Sequence, residues 1–317
     1  MTITEQIYPE KHEKWLSDDD YLWRYIPLRT LFFHLAGNIF IPSAEKLRQA
    51  DPFEGAFPVA SSWFNSAVEH HYGSNEANLD EWLYQRRCNG NERKLMDQNK
   101  GQEAFANHKA HILMTHYFEF IRNTRYAWCW FLGSESAAMW SVYGNQGVAI
   151  ATTVGRIRQI FVKADRNATY GQILYVEVCQ GQVIGLNPGE SEHQQFILQP
   201  HFMKRKEYAS EREVRFIGYG SENQKKGGIV LKGIDPNDWI QQIKFWPKLT
   251  CSEEAALSTA IKKAAPNIQC FKSDLLTSQD DSVYDENGVE AAMAETDEKS
   301  WAENSDGIPS FLKRHEC

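Results

Sequence analysis

Two carboxylates and a guanidinium alternate in one short segment of the chain, at Glu211, Glu213 and Arg215. If this segment is a β-strand, all three side chains project from one face, because successive residues of a strand point to opposite sides of a sheet. A carboxylate pair held by an arginine can work as acid and base, or stabilise a positive charge that develops during a reaction. The same pattern is also typical of a solvated strand face that carries an ion-pair network.

Two further groups of residues could bind a ligand. Trp140 and Tyr143 are three residues apart on a predicted helix, so they would share a face and form either an aromatic wall for a ligand or part of the core. Arg24 lies between Trp23 and Tyr25 on a predicted aromatic strand. Its guanidinium would either extend to the surface or hold an anion, and its planar donors suit phosphate.

Several common catalytic motifs are absent from the sequence. The chain has no phosphate-binding GxxxxGK[ST] loop, no GxGxxG, no HExxH and no GxSxG. His108 and His111 are three residues apart on a predicted helix, but the sequence offers them no clear carboxylate or cysteine partner. We therefore expect surface or core histidines there, and no metal.

The elements that must position these residues alternate without a regular βαβ rhythm, which favours an α+β fold. Strands are predicted at 21–26, 39–41, 127–131, 147–153, 173–178, 214–218, 228–231 and 240–246. Helices are predicted at 28–35, 102–122, 156–162, 192–207 and 252–264, with one more that is capped near Ser136 and runs through Tyr143.

These elements divide the chain into four parts. Residues 1–60 form the N-terminal part of the core, 61–126 a helical insertion, 127–276 the β-rich remainder of the core, and 277–317 an acidic, weakly ordered tail. The net charge of −8 is concentrated near the C-terminus, where residues 274–317 contain 12 acidic against 3 basic residues and carry −9. The preceding 273 residues then carry +1, so a nucleic-acid partner is not excluded for them.

Composition also restricts the cellular setting. The six cysteines show no CxxC spacing, the N-terminus has no apolar segment of the kind found in secretory signals, and no apolar run approaches the roughly 18 residues of a membrane span. We expect a soluble, cytoplasmic protein with free thiols and no membrane partner.

Motifs from about Tyr21 to about Leu275 resemble the bacterial family called domain of unknown function 2971. In chain order they are Leu22 to Tyr25, Gly37 to Ser43, Asp51 to Gly55, Met139 to Tyr143 with Gly147 to Ile150, Lys206 to Arg215, and Ile240 to Pro247. The chain departs from the family pattern at Val142, where members usually have histidine, and at Ala50, where they usually have asparagine.

The layout of this family is similar to the ADP-ribosyltransferase fold. The resemblance implies an ADP-ribosyltransferase-like split β-sheet core with a helical insertion, and NAD as the substrate. It assigns catalytic roles to Glu213, Glu211 and Tyr143, and NAD-binding roles to Arg24, Trp140, Tyr25 and Arg215.

On this resemblance the protein is expected to act as an effector or toxin in bacterial anti-phage defence. It would transfer ADP-ribose to a protein or nucleic acid, or hydrolyse NAD, and it could have a partner protein within a defence system. One alternative is a non-enzymatic module that binds nucleic acid or protein, and another is a metal-independent nuclease that uses Glu211 and Glu213. In the nucleic-acid-binding alternative, phosphates would contact basic clusters at Lys204 to Lys206, Arg122 with Arg125, and Arg156 with Arg158.

Overall fold

The computed structural model describes residues 3–5, 16–49, 51–53, 84–85, 88–98, 103–144, 146–179, 182–184, 199–220 and 227–275. The chain forms two compact units, Met1–Lys272 and Ser273–Cys317, and every element named below belongs to the first. The predicted acidic tail at 277–317 and the first part of the predicted insertion, 61–83, lie outside the described residues.

The described residues contain thirteen strands, several of them rich in the β-branched and aromatic residues that suit a pleated surface. They are β1 (Ile3–Glu5), β2 (Tyr21–Pro27), β3 (Asn38–Pro42), β4 (Arg125–Leu132), β5 (Gly147–Thr153), β6 (Ala168–Gln172), β7 (Leu174–Cys179), β8 (Gln182–Ile184), β9 (Met203–Arg205), β10 (Glu213–Tyr219), β11 (Gly228–Lys232), β12 (Gln242–Phe245) and β13 (Gln269–Lys272).

Eight of these strands form one mostly antiparallel sheet in the order β1-β6-β10-β4-β2-β5-β12-β13. The two edge strands pair in parallel, β1 with β6 and β13 with β12. β3 and β11 form a separate two-stranded sheet, and β8, β7 and β9 a three-stranded one. The predicted mixture of strands and helices without a regular βαβ rhythm is confirmed at this level.

The main sheet is weakly joined between β2 and β4. β2 pairs with β5, and β4 with β10, along seven residues each. In contrast, the described pairs between β2 and β4 are Leu22 with Leu132 and Trp23 with Phe131. Toward the start of β4, Tyr126 forms a bridge to Ser43, just after β3. The sheet therefore divides after Trp23.

The described residues also form eight α-helices. They are α1 (Leu28–Leu35), α2 (Ala44–Leu47), α3 (Gly90–Gln98), α4 (Glu103–Thr124), α5 (Ala137–Tyr143), α6 (Val154–Lys163), α7 (Pro236–Trp239) and α8 (Cys251–Ala264). The predicted helix 28–35 and the Ser136 cap of α5 are confirmed, since the Ser136 side chain accepts from the Met139 N–H. α8 begins one residue earlier than predicted, because Thr250 and Glu253 form a reciprocal capping box.

The sheet carries a different packing layer on each face. Trp128 and Phe216 lie on one face and belong to a large core cluster that includes residues of α6. Ala127 and Ile217 lie on the opposite face, in a cluster with residues of α4. Strand alternation places Glu213 on the same face as Ile217, at the other end of β10.

Two predictions for the segment before β10 are wrong. The described part of the predicted helix 192–207 is not α-helical: it contains a 3₁₀ turn (Pro200–Phe202) and then β9, which is extended because it pairs with β7. Glu211 is not on the strand, because it ends a second 3₁₀ turn (Lys206–Glu211). Arg212, with φ of 42°, then reverses the chain into β10.

Candidate active site

A cleft of about 260 Å³ lies where the main sheet divides between β2 and β4. Six of the seven residues singled out in the sequence line it: Glu211, Glu213, Tyr143, Arg24, Tyr25 and Arg215. They come from three separate regions of the chain, and the seventh, Trp140, does not line the cleft. The fold therefore brings nearly the whole predicted set together.

Glu213 and Arg215 form a buried ion pair at the base of the cleft. Their side chains share a face of β10, and the contact is bidentate: Arg215 Nε lies 2.7 Å from Glu213 Oε1, and Nη2 lies 3.2 Å from Oε2. The third guanidinium nitrogen, Nη1, donates to the His201 carbonyl at 2.6 Å. Arg215 is 1% exposed, so its donors hold Glu213 and the 3₁₀ turn in place.

Lys204 supplies a second cation that was not predicted for this site. It lies on β9, and its Nζ is 3.1 Å from Glu213 Oε2 while it also contacts Glu211 Oε2. Two carboxylates that meet in a buried place need more than one positive partner. This requirement could have indicated from the sequence that a second cation, besides Arg215, belongs to the site. The sequence instead suggested a helix here and counted Lys204 in a basic surface cluster.

Glu211 reaches the same place from the 3₁₀ turn rather than from the strand. The left-handed backbone of Arg212 reverses the chain, so Glu211 also turns toward Lys204. The hydroxyl of Tyr143 donates to Glu211 Oε1 at 3.0 Å. Tyr143 ends α5 and is 48% exposed, so this contact lies toward solvent while Glu213 lies deeper.

The charge states at the cleft follow from burial and from these neighbours. Burial alone would raise the pKa of Glu213, but the adjacent charges of Arg215 and Lys204 lower it to about 2. Lys204 is affected in the opposite way: its burial favours a lower pKa, yet the carboxylates raise it above its ordinary value. Burial and the nearby Glu211 raise the pKa of Tyr143 to about 12. At neutral pH the cleft therefore holds an ionised Glu213, a protonated Lys204 and a neutral tyrosine.

Arg24 contributes positive charge where the strands separate. It shares a strand face with Leu22 and Ile26, and its Nη1 donates to the Cys129 carbonyl of β4 at 2.5 Å. Its buried Nε has no hydrogen-bond partner, and no carboxylate among the described residues pairs with it. Burial lowers the pKa of Arg24, which still carries charge because a guanidinium stays protonated in proteins. The cleft is lined by three cations, Arg24, Lys204 and Arg215, and by three carboxylates, Asp51, Glu211 and Glu213. Asp51 is paired with Arg205, so Arg24 is the lining cation without a close carboxylate partner among the described residues.

The predicted aromatic wall has a different composition. Trp140 is 1% exposed, and its Nε1 donates to Glu135 Oε1 at 2.6 Å. Its ring packs edge-to-face against Tyr25, with centroids 5.0 Å apart. Tyr25 lines the cleft, and its hydroxyl accepts from the Ser136 N–H at 2.8 Å. Trp140 therefore supports Tyr25 from behind.

One cation of each basic cluster that favoured a nucleic-acid-binding surface has a carboxylate partner. Arg122 Nε donates to Glu45 at 3.0 Å, and Arg158 Nη1 donates to Asp18 at 2.6 Å. Lys204 is 8% exposed and faces the cleft carboxylates. Arg122, Arg158 and Lys204 thus each contact a carboxylate, and the nucleic-acid-binding alternative stays a prediction.

Among the described residues, one group of side chains has metal-ligand chemistry. Ligand atoms of Cys88, Glu92 and His116 lie within 4.8 Å of one another, and His116 Nε2 is 3.2 Å from Glu92 Oε2. Thiolate, carboxylate and imidazole are zinc ligands, although a structural zinc site uses four. The Glu92–His116 contact is also an ordinary hydrogen bond between α3 and α4. The predicted histidine pair does not contribute: His111 is exposed, and the side chain of His108 lies outside the described part.

The chain matches no protein-family model, no curated protein and no solved structure. The resemblance to the family called domain of unknown function 2971, and through it to ADP-ribosyltransferases, thus rests on the sequence motifs. None of the described helices combines the length and the apolar composition of a membrane span.

Proposed function

We propose that the cleft binds NAD and cleaves the bond between nicotinamide and ribose. The protein is then an ADP-ribosyltransferase if a macromolecule accepts the ADP-ribose, or an NAD glycohydrolase if water does. The observation that carries this proposal is that Glu213, Glu211, Tyr143 and Arg24 line one cleft. The short ladder between β2 and β4 supports an ADP-ribosyltransferase-like split sheet as part of the same proposal.

The reaction needs a carboxylate that is ionised at neutral pH. As the C1′–N bond breaks, nicotinamide leaves with the bonding electron pair, and positive charge develops on the ribose. A fixed negative charge beside the ribose stabilises this transition state more than the ground state. The pKa of about 2 supports this role for Glu213, because the carboxylate stays ionised and Arg215 holds it in one orientation.

Glu211 is the candidate for orienting the nucleophile. It lies nearer the solvent than Glu213 and accepts a hydrogen bond from Tyr143. An incoming O–H group would donate to Glu211, which takes its proton as the new C1′–O bond forms. Lys204 contacts both carboxylates, which limits the repulsion between them.

The positive end of the cleft suits the phosphates of the substrate. Arg24 has a buried Nε without a partner, and its guanidinium can meet a pyrophosphate oxygen. The cavity of about 260 Å³ lies just below the roughly 300–1,000 Å³ of typical small-molecule pockets, so it suits the nicotinamide end of NAD rather than the whole dinucleotide. Tyr25 offers an aromatic surface for that ring. Arg215 is engaged by Glu213, so it acts as a positioning residue and not as an NAD ligand.

The biological setting follows from the family resemblance alone. A bacterial anti-phage effector that consumes NAD, or that modifies a protein or nucleic acid, fits an enzyme of this kind. A partner protein from the same defence system would supply its trigger.

Incubation of the full chain with adenylate-labelled NAD, with and without bacterial lysate, tests the proposal. Release of labelled ADP-ribose indicates hydrolysis, and label on a macromolecule indicates transfer. Glu213→Gln should abolish either reaction, whereas Glu177→Gln, which changes an exposed carboxylate on β7, should not. Circular dichroism must show that both variants are folded.

Binding gives a second, independent readout. NAD at about 100 times its Kd should add about 2.7 kcal/mol to the free energy of unfolding, with a matching rise in Tm. The proposal is wrong if saturating NAD leaves the Tm unchanged and no NAD is consumed.

A further inference from the structure

A second concave surface lies beside the cleft, on the other side of Arg24. We call it the basic groove, and its lining includes Arg24, Arg29, Phe33, Phe40, Lys46 and Leu47. Its volume is about 750 Å³, nearly three times that of the cleft. The two cavities share Arg24, Tyr25, Pro42 and Leu47, so they lie next to each other where β2 leaves β4.

The charge of the basic groove is of one sign. Arg24, Arg29 and Lys46 line it, and none of its described lining residues is acidic. Glu45, next to Lys46, instead contacts Arg122 at 3.0 Å and Arg48 at 3.8 Å. Three cations from β2, α1 and α2 thus meet without a carboxylate among them, which favours a ligand with more than one negative group.

Aromatic rings line the basic groove together with these cations. Phe33 of α1 is 38% exposed, so its ring is accessible from the groove. Phe40 of β3 lines the groove under Lys46, whose Nζ is 4.8 Å from the ring centroid. A ligand that carries both phosphates and flat bases uses both features, because bases stack on aromatic rings while lysine and arginine contact the phosphates.

We propose that the basic groove binds single-stranded nucleic acid and leads the strand past the mouth of the cleft. An acidic peptide would satisfy the cations but would leave the exposed ring of Phe33 without a flat partner. The bases of a duplex already stack on one another, so a duplex would contact only the cations. This proposal concerns binding and stands whether or not the cleft cleaves NAD; if it does, the bound strand is the acceptor nearest to the site.

Fluorescence anisotropy with a short labelled oligothymidine, and with its RNA counterpart oligouridine, tests binding by the full chain. The logarithm of the affinity should fall linearly with the logarithm of the salt concentration, by about 0.7 for each phosphate contacted. Arg29→Ala with Lys46→Ala should lower that slope by about 1.4. Phe33→Ala should weaken binding about tenfold at constant salt. Lys94→Ala, which removes an exposed cation from α3, serves as the matched control and should bind like the wild type.

Several results separate this proposal from its rivals. Glu213→Gln should bind the oligonucleotide like the wild type, so loss of NAD cleavage and loss of strand binding are distinguishable. The proposal is overturned if neither oligonucleotide binds, if a duplex of the same length binds equally well, or if Lys94→Ala loses as much affinity as the groove variants. It is also overturned by two results together: NAD displaces the strand, and the Arg29→Ala, Lys46→Ala double variant raises the KM for NAD. In that case the basic groove holds the other half of the dinucleotide and not a strand.

Discussion

Replacing Glu213 by glutamine should change how the stability of the protein depends on pH. The neighbouring cations lower the pKa of this buried carboxyl from 4.5 to about 2, despite the opposing effect of burial. Each pKa unit corresponds to about 1.4 kcal/mol, so the ionisation of Glu213 contributes about 3 kcal/mol to the free energy of unfolding at neutral pH. Because the pKa is lower in the folded state, this contribution is present above pH 4.5 and is lost as the pH falls toward 2.

Urea unfolding followed from about pH 7 to about pH 3 measures this contribution. At neutral pH, Glu213→Gln should be less stable than the wild type by about 3–5 kcal/mol, because it leaves Lys204 and Arg215 without their main partner. That difference should narrow below pH 4.5, since only the wild type loses the carboxylate. Glu177→Gln, at an exposed position, should show a small difference that does not depend on pH. A constant gap between wild type and Glu213→Gln across the whole range would refute the idea that the ion pairs hold Glu213 ionised.

Three further substitutions test the supporting contacts. Lys204→Met keeps an unbranched side chain one atom shorter but removes the cation between two carboxylates. It should lower the free energy of unfolding in urea by about 3–5 kcal/mol, and an unchanged midpoint would contradict the buried pairing. Tyr143→Phe removes the hydrogen bond to Glu211 at a half-exposed position; it should lower kcat for NAD cleavage while changing the free energy of unfolding by less than about 1.5 kcal/mol. Trp140→Phe loses the indole donor to Glu135 and should cost about 1–3 kcal/mol. Its KM for NAD should equal that of the wild type, and a clear rise in KM would place Trp140 against the ligand after all.

Local signals in the sequence are enough to predict several elements. The helix 28–35 follows Pro27 and ends before Gly37, whose φ of 76° suits glycine, so both boundaries are encoded within a few residues. The strand 147–153 is an unbroken run of small and β-branched residues, and the structure has the same bounds. For these two elements, the local residue preferences and the tertiary packing favour the same secondary structure.

The elements that sequence reasoning missed depend on partners far along the chain. β9 is extended because Leu174 pairs with Met203, and nothing local to residues 203–205 shows that pairing. β1 and β13 are edge strands that pair in parallel with distant segments. The divergence of β2 and β4 likewise has no local signature.

In the candidate site, too, relations between neighbouring residues were predictable from the sequence, whereas those that depend on the tertiary fold were not. Strand alternation correctly predicted that Glu213 and Arg215 share a face, because that relation depends on two neighbouring residues. The same alternation wrongly placed Glu211 on the strand. Glu211 ends the 3₁₀ turn before β10, and that turn depends on the left-handed backbone of Arg212, which is uncommon for a residue other than glycine. Lys204 was missed because a wrong helix prediction concealed its strand. The spacing of Trp140 and Tyr143 was correct on α5, but only the structure shows that one is buried and the other lines the cleft.

The short ladder between β2 and β4 has a mechanical consequence. Beyond Trp23 the described contacts between β2 and β4 include side-chain contacts instead of a continued row of backbone bonds: Arg24 Nη1 donates to the Cys129 carbonyl, and the Tyr25 ring packs edge-to-face against Phe131. A change in the spacing of β2 and β4 there would alter these side-chain contacts and leave the seven-residue ladders on either side intact. The width of the cleft beyond Trp23 therefore depends on side-chain packing and not on a backbone ladder.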